Sequence, residues 1–143
     1  MRFREEIEVA TPLPEAFAYV ADFSHAAEWD PGIAESRLLT DDPLRAGSEF
    51  AVVAVFRGRR QQFRYTVTTY EENRRVVLEG EGAKARSTDE VVFAAAGAGT
   101  RITYEADLRL KGLARVAEPF LQGAIEKMGR DALAGLKAAL DTR

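Results

Sequence analysis

Residues 76–93 read Val-Val-Leu-Glu-Gly-Glu-Gly-Ala-Lys-Ala-Arg-Ser-Thr-Asp-Glu-Val-Val-Phe. Apolar and polar positions alternate on both sides of Gly82-Ala83-Lys84, the pattern of two strands with one wet face. A two-residue turn at Ala83-Lys84 sets Leu78 opposite Asp89 and Val76 opposite Val91. The same logic carries outward. A turn at Glu72-Asn73 places Val67 opposite Leu78 and Tyr65 opposite Gly80. One at Gly58-Arg59 places Val52 opposite Tyr65, Ala54 opposite Phe63 and Phe50 opposite Val67. One at Gly97-Ala98 places Val91 opposite Tyr104 and Phe93 opposite Ile102. These turns agree on a single covered face. It holds Phe50, Val52, Ala54, Phe56, Phe63, Tyr65, Val67, Val76, Leu78, Val91, Phe93, Ile102, Tyr104 and Leu108. Its reverse holds Glu49, Gln62, Arg64, Thr66, Thr68, Glu79, Glu81, Glu90, Thr103, Glu105 and Asp107. Strands are expected near 2–10, 33–39, 48–56, 60–70, 74–81, 85–95 and 100–110.

Helices flank this meander. Thr11-Pro12-Leu13-Pro14-Glu15 reads as a helix start, and Leu13, Ala16, Phe17 and Val20 follow at helical spacing to a stop near Asp22-Phe23. A short helix over Ser24 to Glu28, with Ser24 as N-cap, ends at Trp29-Asp30-Pro31-Gly32. From about 113 to 141, Val116, Phe120, Ala124, Met128, Leu133, Leu136 and Leu140 recur every three to five residues, with Leu113, Ala117, Leu121, Ile125, Ala132 and Ala139 beside them. This is a long amphipathic helix. A start near Glu118 leaves Pro119 in its first turn, and a start near Leu113 requires a kink.

Composition bounds the function. The chain has 143 residues, 46% hydrophobic and 30% charged, a net charge of −3, no cysteine and one histidine. That is one domain, 1–143, of ordinary globular composition. Lacking cysteine and a second histidine, it offers no thiolate zinc, iron–sulfur or two-imidazole metal site, and neither a metal nor a cofactor is expected. A weakly acidic chain is not a general nucleic-acid binder. No integral membrane segment or signal peptide is read, so a cytoplasmic setting is expected. Oligomeric state, monomer or homodimer, stays open.

The fold class is α+β: a curved antiparallel sheet of about seven strands wrapped around a long C-terminal helix, with two short helices after strand one. One helix is about 10 Å across, whereas seven strands at about 4.8 Å spacing span more than about 30 Å. The sheet must curl, and an apolar gap between sheet and helix follows. Gly80, Gly82, Ala54, Ala106 and Ala124 are read as enlarging it.

Leu13-Pro14-Glu15-Ala16-Phe17-Ala18-Tyr19-Val20-Ala21-Asp22-Phe23, followed by Glu28-Trp29-Asp30-Pro31-Gly32, resembles the opening of the START-like (SRPBCC) helix-grip superfamily, in its polyketide cyclase/dehydrase and lipid-transport branch. Gly99-Thr100-Arg101-Ile102-Thr103-Tyr104-Glu105-Ala106-Asp107-Leu108 and Gly112-Leu113 are similar too. The resemblance implies an internal pocket between sheet and long helix. It carries no residue-by-residue catalytic assignment.

Candidate ligand contacts are Trp29, Val52, Phe63, Tyr65, Leu78, Ser87, Asp89, Val91, Tyr104, Phe120, Ala124 and Met128. Asp89 is the most informative: a carboxylate on the covered face needs a partner or a raised pKa. Tyr65 and Tyr104 bring inward hydroxyls. His25 reads as an exposed loop residue. Arg57, Arg59, Arg60 and Arg64 read as a solvated hairpin tip. The leading expectation is binding, for transport or sequestration, of a small, largely apolar polyketide-, aromatic- or lipid-like molecule. The alternatives are a cyclase/dehydratase using Asp89 with Tyr65 or Tyr104, and a protein-interaction module with a vestigial cavity.

Overall fold

A computed structural model describes residues 1–143. The strands are β1 (Arg2–Val9), β2 (Ile33–Leu38), β3 (Glu49–Phe56), β4 (Arg59–Glu71), β5 (Arg75–Gly82), β6 (Ala85–Ala96) and β7 (Gly99–Leu110). They form one antiparallel sheet in the order β1-β7-β6-β5-β4-β3-β2. The helices are α1 (Leu13–Ala21), α2 (Ala26–Trp29) and α3 (Glu118–Asp141). A 3₁₀ turn, Phe23–His25, precedes α2, and another, Gly112–Ala117, precedes α3. This is the α+β helix-grip architecture. Pro119 lies in the first turn of α3, where its missing N–H costs nothing.

The register follows from side-chain alternation. Leu78 faces Asp89, Val76 faces Val91, Val91 faces Tyr104 and Phe93 faces Ile102, as the turns imply. Two hairpins differ. The β4–β5 turn has three residues, Glu72-Asn73-Arg74, rather than two, with Glu71 facing Arg75, so the expected pairs hold only from Val67 and Leu78 outward. The other is the β3–β4 hairpin. Its turn is Arg57-Gly58, both at positive φ (50° and 78°), so Phe50 faces Tyr65, Val52 faces Phe63 and Ala54 faces Gln61. Two central residues at positive φ suit the twist of a tight hairpin. The shift from the expected pairing is two residues, so every side chain keeps its face. Between Val67 and Thr69 a β-bulge reverses that parity and turns Tyr70 inward, edge-on to Phe17 at 5.4 Å. Nothing in the alternation of β4 announces it.

The short helices are held by side chains. Asp22, rather than Ser24, caps the first 3₁₀ turn: its Oδ1 accepts from the Ser24 amide and from the Ser24 hydroxyl. His25 is half-buried rather than exposed. Its ring stacks on Tyr19 at 4.6 Å, and Nδ1 donates to the Tyr19 carbonyl. The arginine tip does lie in solvent: Arg57 stands over the Phe56 ring, Arg60 pairs with Glu35 and Arg64 with Glu49.

Burial along α3 is uneven, and that unevenness positions the site. Leu133, Leu136 and Leu140 are fully buried. The C-terminal half is also tethered: Thr11 Oγ1 donates to the Leu140 carbonyl, the Ala10 amide donates to Asp141, and Lys137 Nζ donates to the Glu8 carbonyl. The Trp29 backbone meets α3 at Gly135, where a Cβ would collide with the Trp29 carbonyl oxygen. At the other end, Leu113, Val116 and Phe120 are 91, 77 and 84% exposed. The C-terminal half is thus packed into the core, whereas the first turns are tied to the sheet by polar contacts, Glu118 accepting from the Leu110 amide and Gln122 bonding the Arg2 backbone, with apolar side chains left in solvent around them.

Candidate functional site

Between the concave face of the sheet and α3 lies a cavity of about 300 Å³. Tyr65, Phe63, Ala54, Tyr104, Ala106 and Leu108 floor it. Leu121, Ile125, Met128, Ala132 and Leu133 of α3 roof it, and Phe3 of β1 forms one side. Phe23, Trp29 and Asp30 close the inner end, while Lys84 and Ala114, both exposed, belong to the rim.

The floor is shaped by glycine. A Cβ on Gly80 would lie 2.6 Å from the Tyr65 ring, and one on Gly82 would lie 2.9 Å from the Phe63 ring. The rings therefore lie flat across the neighbouring strand. The two glycines do not leave empty volume, as their size suggested. The aromatic rings occupy it and present their faces to the cavity. Ala54 and Ala106 do border open space, whereas Ala124 does not.

Among the candidate contacts, Trp29, Phe63, Tyr65, Ser87, Asp89, Tyr104 and Met128 line the cavity. Val52, Leu78 and Val91 do not. They are buried where the sheet packs against other core residues. Phe120 points to solvent and Ala124 is only half-buried off the lining, because α3 starts at Glu118 and turns Leu121 and Ile125 inward instead. A helical stripe phased on Phe120 is therefore displaced, and the buried side runs through Ile125, Gly129 and Ala132.

The polar end of the cavity has defined chemistry. Asp89 is 6% exposed and accepts hydrogen bonds from the Ser87 hydroxyl (2.5 Å) and the Tyr104 hydroxyl. No arginine or lysine pairs with it. Burial raises its pKa, and the two hydroxyl donors act the other way. Tyr65 and Tyr104 are pushed well above the usual phenol range, by burial first and then by the Asp89 charge. Asp30, read from sequence only as part of a turn, is a second carboxylate at the inner end. Its Oδ1 accepts from the Gly32 amide at 2.8 Å. Burial and the charges of Asp89 and Asp131 raise its pKa to about 6, against that hydrogen bond. An Asp-Pro-Gly turn directly after an inward tryptophan was the only signal for it. Trp29 is 4% exposed, its ring edge-on to Tyr104 at 6.4 Å, and its indole N–H is buried without a partner. No cluster of three or more potential metal ligands is present.

The family described as polyketide cyclase / dehydrase and lipid transport matches residues 1–141. No curated protein matches the chain. Among solved structures it is similar to TTHA0849 from Thermus thermophilus, at 17% identity and a TM-score of 0.83, covering 98% of this chain and 97% of that one. It is similar to a START superfamily protein from Mycobacterium smegmatis, at 19% identity and a TM-score of 0.75, covering 99% and 95%. It is also similar to the Zhui aromatase/cyclase from a Streptomyces species, at 11% identity and a TM-score of 0.83, covering 100% and 94%. At these identities the likeness is one of fold.

Proposed function

The chain belongs to the polyketide cyclase/dehydrase and lipid-transport family of the START-like superfamily, and from that premise we propose that it binds a small, largely apolar polyketide-, aromatic- or lipid-like molecule in the cavity between sheet and α3. The observation that carries this is the cavity: about 300 Å³, walled mostly by apolar side chains, with a small number of polar groups that include Ser87, Asp89 and Asp30. A concave, mostly apolar space of this size with few convergent polar groups suits ligand binding. Affinity comes from apolar surface, at about 25 cal/mol per Å² removed from water. The role is transport, sequestration or presentation of the ligand. Leu113, Val116 and Phe120, exposed on the segment that also supplies Ala114 and Leu121 to the lining, flank the way in. No helix is long and apolar enough to cross a membrane.

A second reading, acid–base chemistry as in a cyclase or dehydratase, is favoured by one arrangement. Asp89 is buried with a raised pKa, and Tyr104 bonds to it within the cavity wall. Such a carboxyl can exchange a proton with a substrate carbonyl or enol.

One experiment addresses both. A neutral, environment-sensitive dye is expected to bind at one site per chain, and Ala106→Trp, which fills the cavity from its floor, is expected to abolish binding while the thermal melt stays cooperative. Unchanged dye affinity in Ala106→Trp removes the cavity as the site. Turnover of a poly-β-ketone substrate that disappears in Asp89→Asn while dye binding persists makes the second reading the correct one.

A further inference from the structure

The polar end of the cavity combines two features that seldom occur together by accident of packing. The first is a pair of carboxyl groups with no cationic partner, Asp89 being held only by the Ser87 and Tyr104 hydroxyls. Asp30 and Asp89 both face the cavity, and no lysine or arginine lies close enough to lower the pKa of either. The Met1 ammonium and Lys84 also border the cavity, but the first is taken up by Asp107 and Glu118 and the second lies at the rim. Asp131 of α3, itself paired with Lys127, adds further negative potential at Asp30. Asp30 uses one oxygen on the Gly32 amide, and no side chain bonds the other. The second feature is a wall of aromatic rings: Phe3, Phe23, Trp29, Phe63, Tyr65 and Tyr104 all border the same space. The faces of such rings carry negative charge density. The buried, unpartnered indole N–H of Trp29 is a donor: it asks the ligand for an acceptor atom beside the head and does not itself select for positive charge.

Carboxyl groups without a counterion, in a cavity bordered by aromatic rings, are the complement of an organic cation. We infer that the ligand is an apolar molecule with a protonated amine or quaternary ammonium head, and that the head lodges at the Asp30–Asp89 end of the cavity while the body lies under α3. This rests on the cavity being the binding site and goes further in specifying the ligand's charge. A fatty acid or other anionic ligand has no cation to meet at that end, and its carboxylate would face two others across a low-dielectric gap. The raised pKa of both aspartates accords with sites that a bound cation would relieve.

The test uses three probes with one apolar body, 2-naphthylmethylamine, 2-naphthylmethanol and 2-naphthoate, titrated calorimetrically into the intact protein at neutral pH. The amine is expected to bind about tenfold or more tighter than the alcohol, with the carboxylate weakest. Asp30→Asn, which keeps an oxygen for the Gly32 amide, is expected to lower amine affinity several-fold more than alcohol affinity, so that the ratio between the two narrows. A carboxylate that binds as tightly as the amine overturns the inference, as does an amine preference that survives in Asp30→Asn and in Asp89→Asn. If alcohol and amine bind equally well, the cavity reading stands and the cation assignment falls. If none of the three binds, both fall.

Discussion

Asp30 illustrates how a single side chain can be mistaken from its neighbours in sequence. Next to Pro31 and Gly32 it reads as turn chemistry, and the Gly32 amide bond to its Oδ1 is that of an Asx turn. The fold adds burial and the proximity of Asp89 and Asp131, which together raise its pKa from the ordinary 3.8 to about 6. A carboxyl whose folded pKa exceeds its unfolded one makes the native state bind more protons between the two values. Its contribution is therefore fully present below about pH 4 and lost as the pH rises through about 6. Asp30→Asn cannot ionise and keeps the Gly32 bond. It should melt above the wild type by the equivalent of about 1–3 kcal/mol at pH above about 7, and with it below about pH 4. Parallel melting curves across that range would show that Asp30 is solvated. Asp89 was the easier residue to find, because strand parity alone turns it inward. Its partners Ser87 and Tyr104 lie on the same face, two residues away and across the β6–β7 ladder.

Among the elements, glycines in β5 and α3 show opposite uses of a missing side chain. Gly80 makes room for the Tyr65 ring, which a Cβ would meet at 2.6 Å; Gly123 of α3 has nothing within 4 Å of a Cβ. Gly80→Ala should destabilise by about 1–3 kcal/mol, since the ring must leave its place in a packed floor. Gly123→Ala should stabilise by about 0.5–1 kcal/mol, through helix propensity alone. Chemical denaturation of the two variants checks both signs, and a neutral Gly80→Ala would mean that the Tyr65 ring is not held. The β3–β4 hairpin shows a different limit. Gly58-Arg59 and Arg57-Gly58 are equally plausible tight turns in the sequence. They differ by two residues in register but not in which face each side chain takes.

For the molecule as a whole, burial falls off from the C-terminal half of α3 toward the segment that enters it. Tethers from Thr11, Ala10 and Lys137 fix the C-terminal half, and the preceding 3₁₀ turn, Gly112–Ala117, buries no residue. Local opening follows low burial. Amides of residues 112–117 should exchange hydrogen before those of the α3 segment around Leu133 and Leu136, and a saturating cavity ligand should slow them. Slower exchange at 112–117 than around Leu136 would place the opening elsewhere. The α+β layout, the seven strands and most of the covered face follow from a strand period of two and a helix period near four, while the helix-grip class is implied by the resemblance carried by residues 13–32 and 99–113. The same periods turn Phe63, Tyr65, Ser87, Asp89, Tyr104 and Met128 inward, and all six border the cavity.

Alternation assigns a residue to a face, and that much is local. Whether a face-directed side chain meets another side chain or open space depends on how far the sheet curls and where α3 is clamped. Val52, Leu78 and Val91 share a face with Tyr104, yet they fill the core while Tyr104 walls the cavity. The start of α3 at Glu118 sends Phe120 to water and Ile125 inward. The meeting of Asp30 with the Asp89 end likewise depends on contacts between distant parts of the chain, which no periodicity encodes.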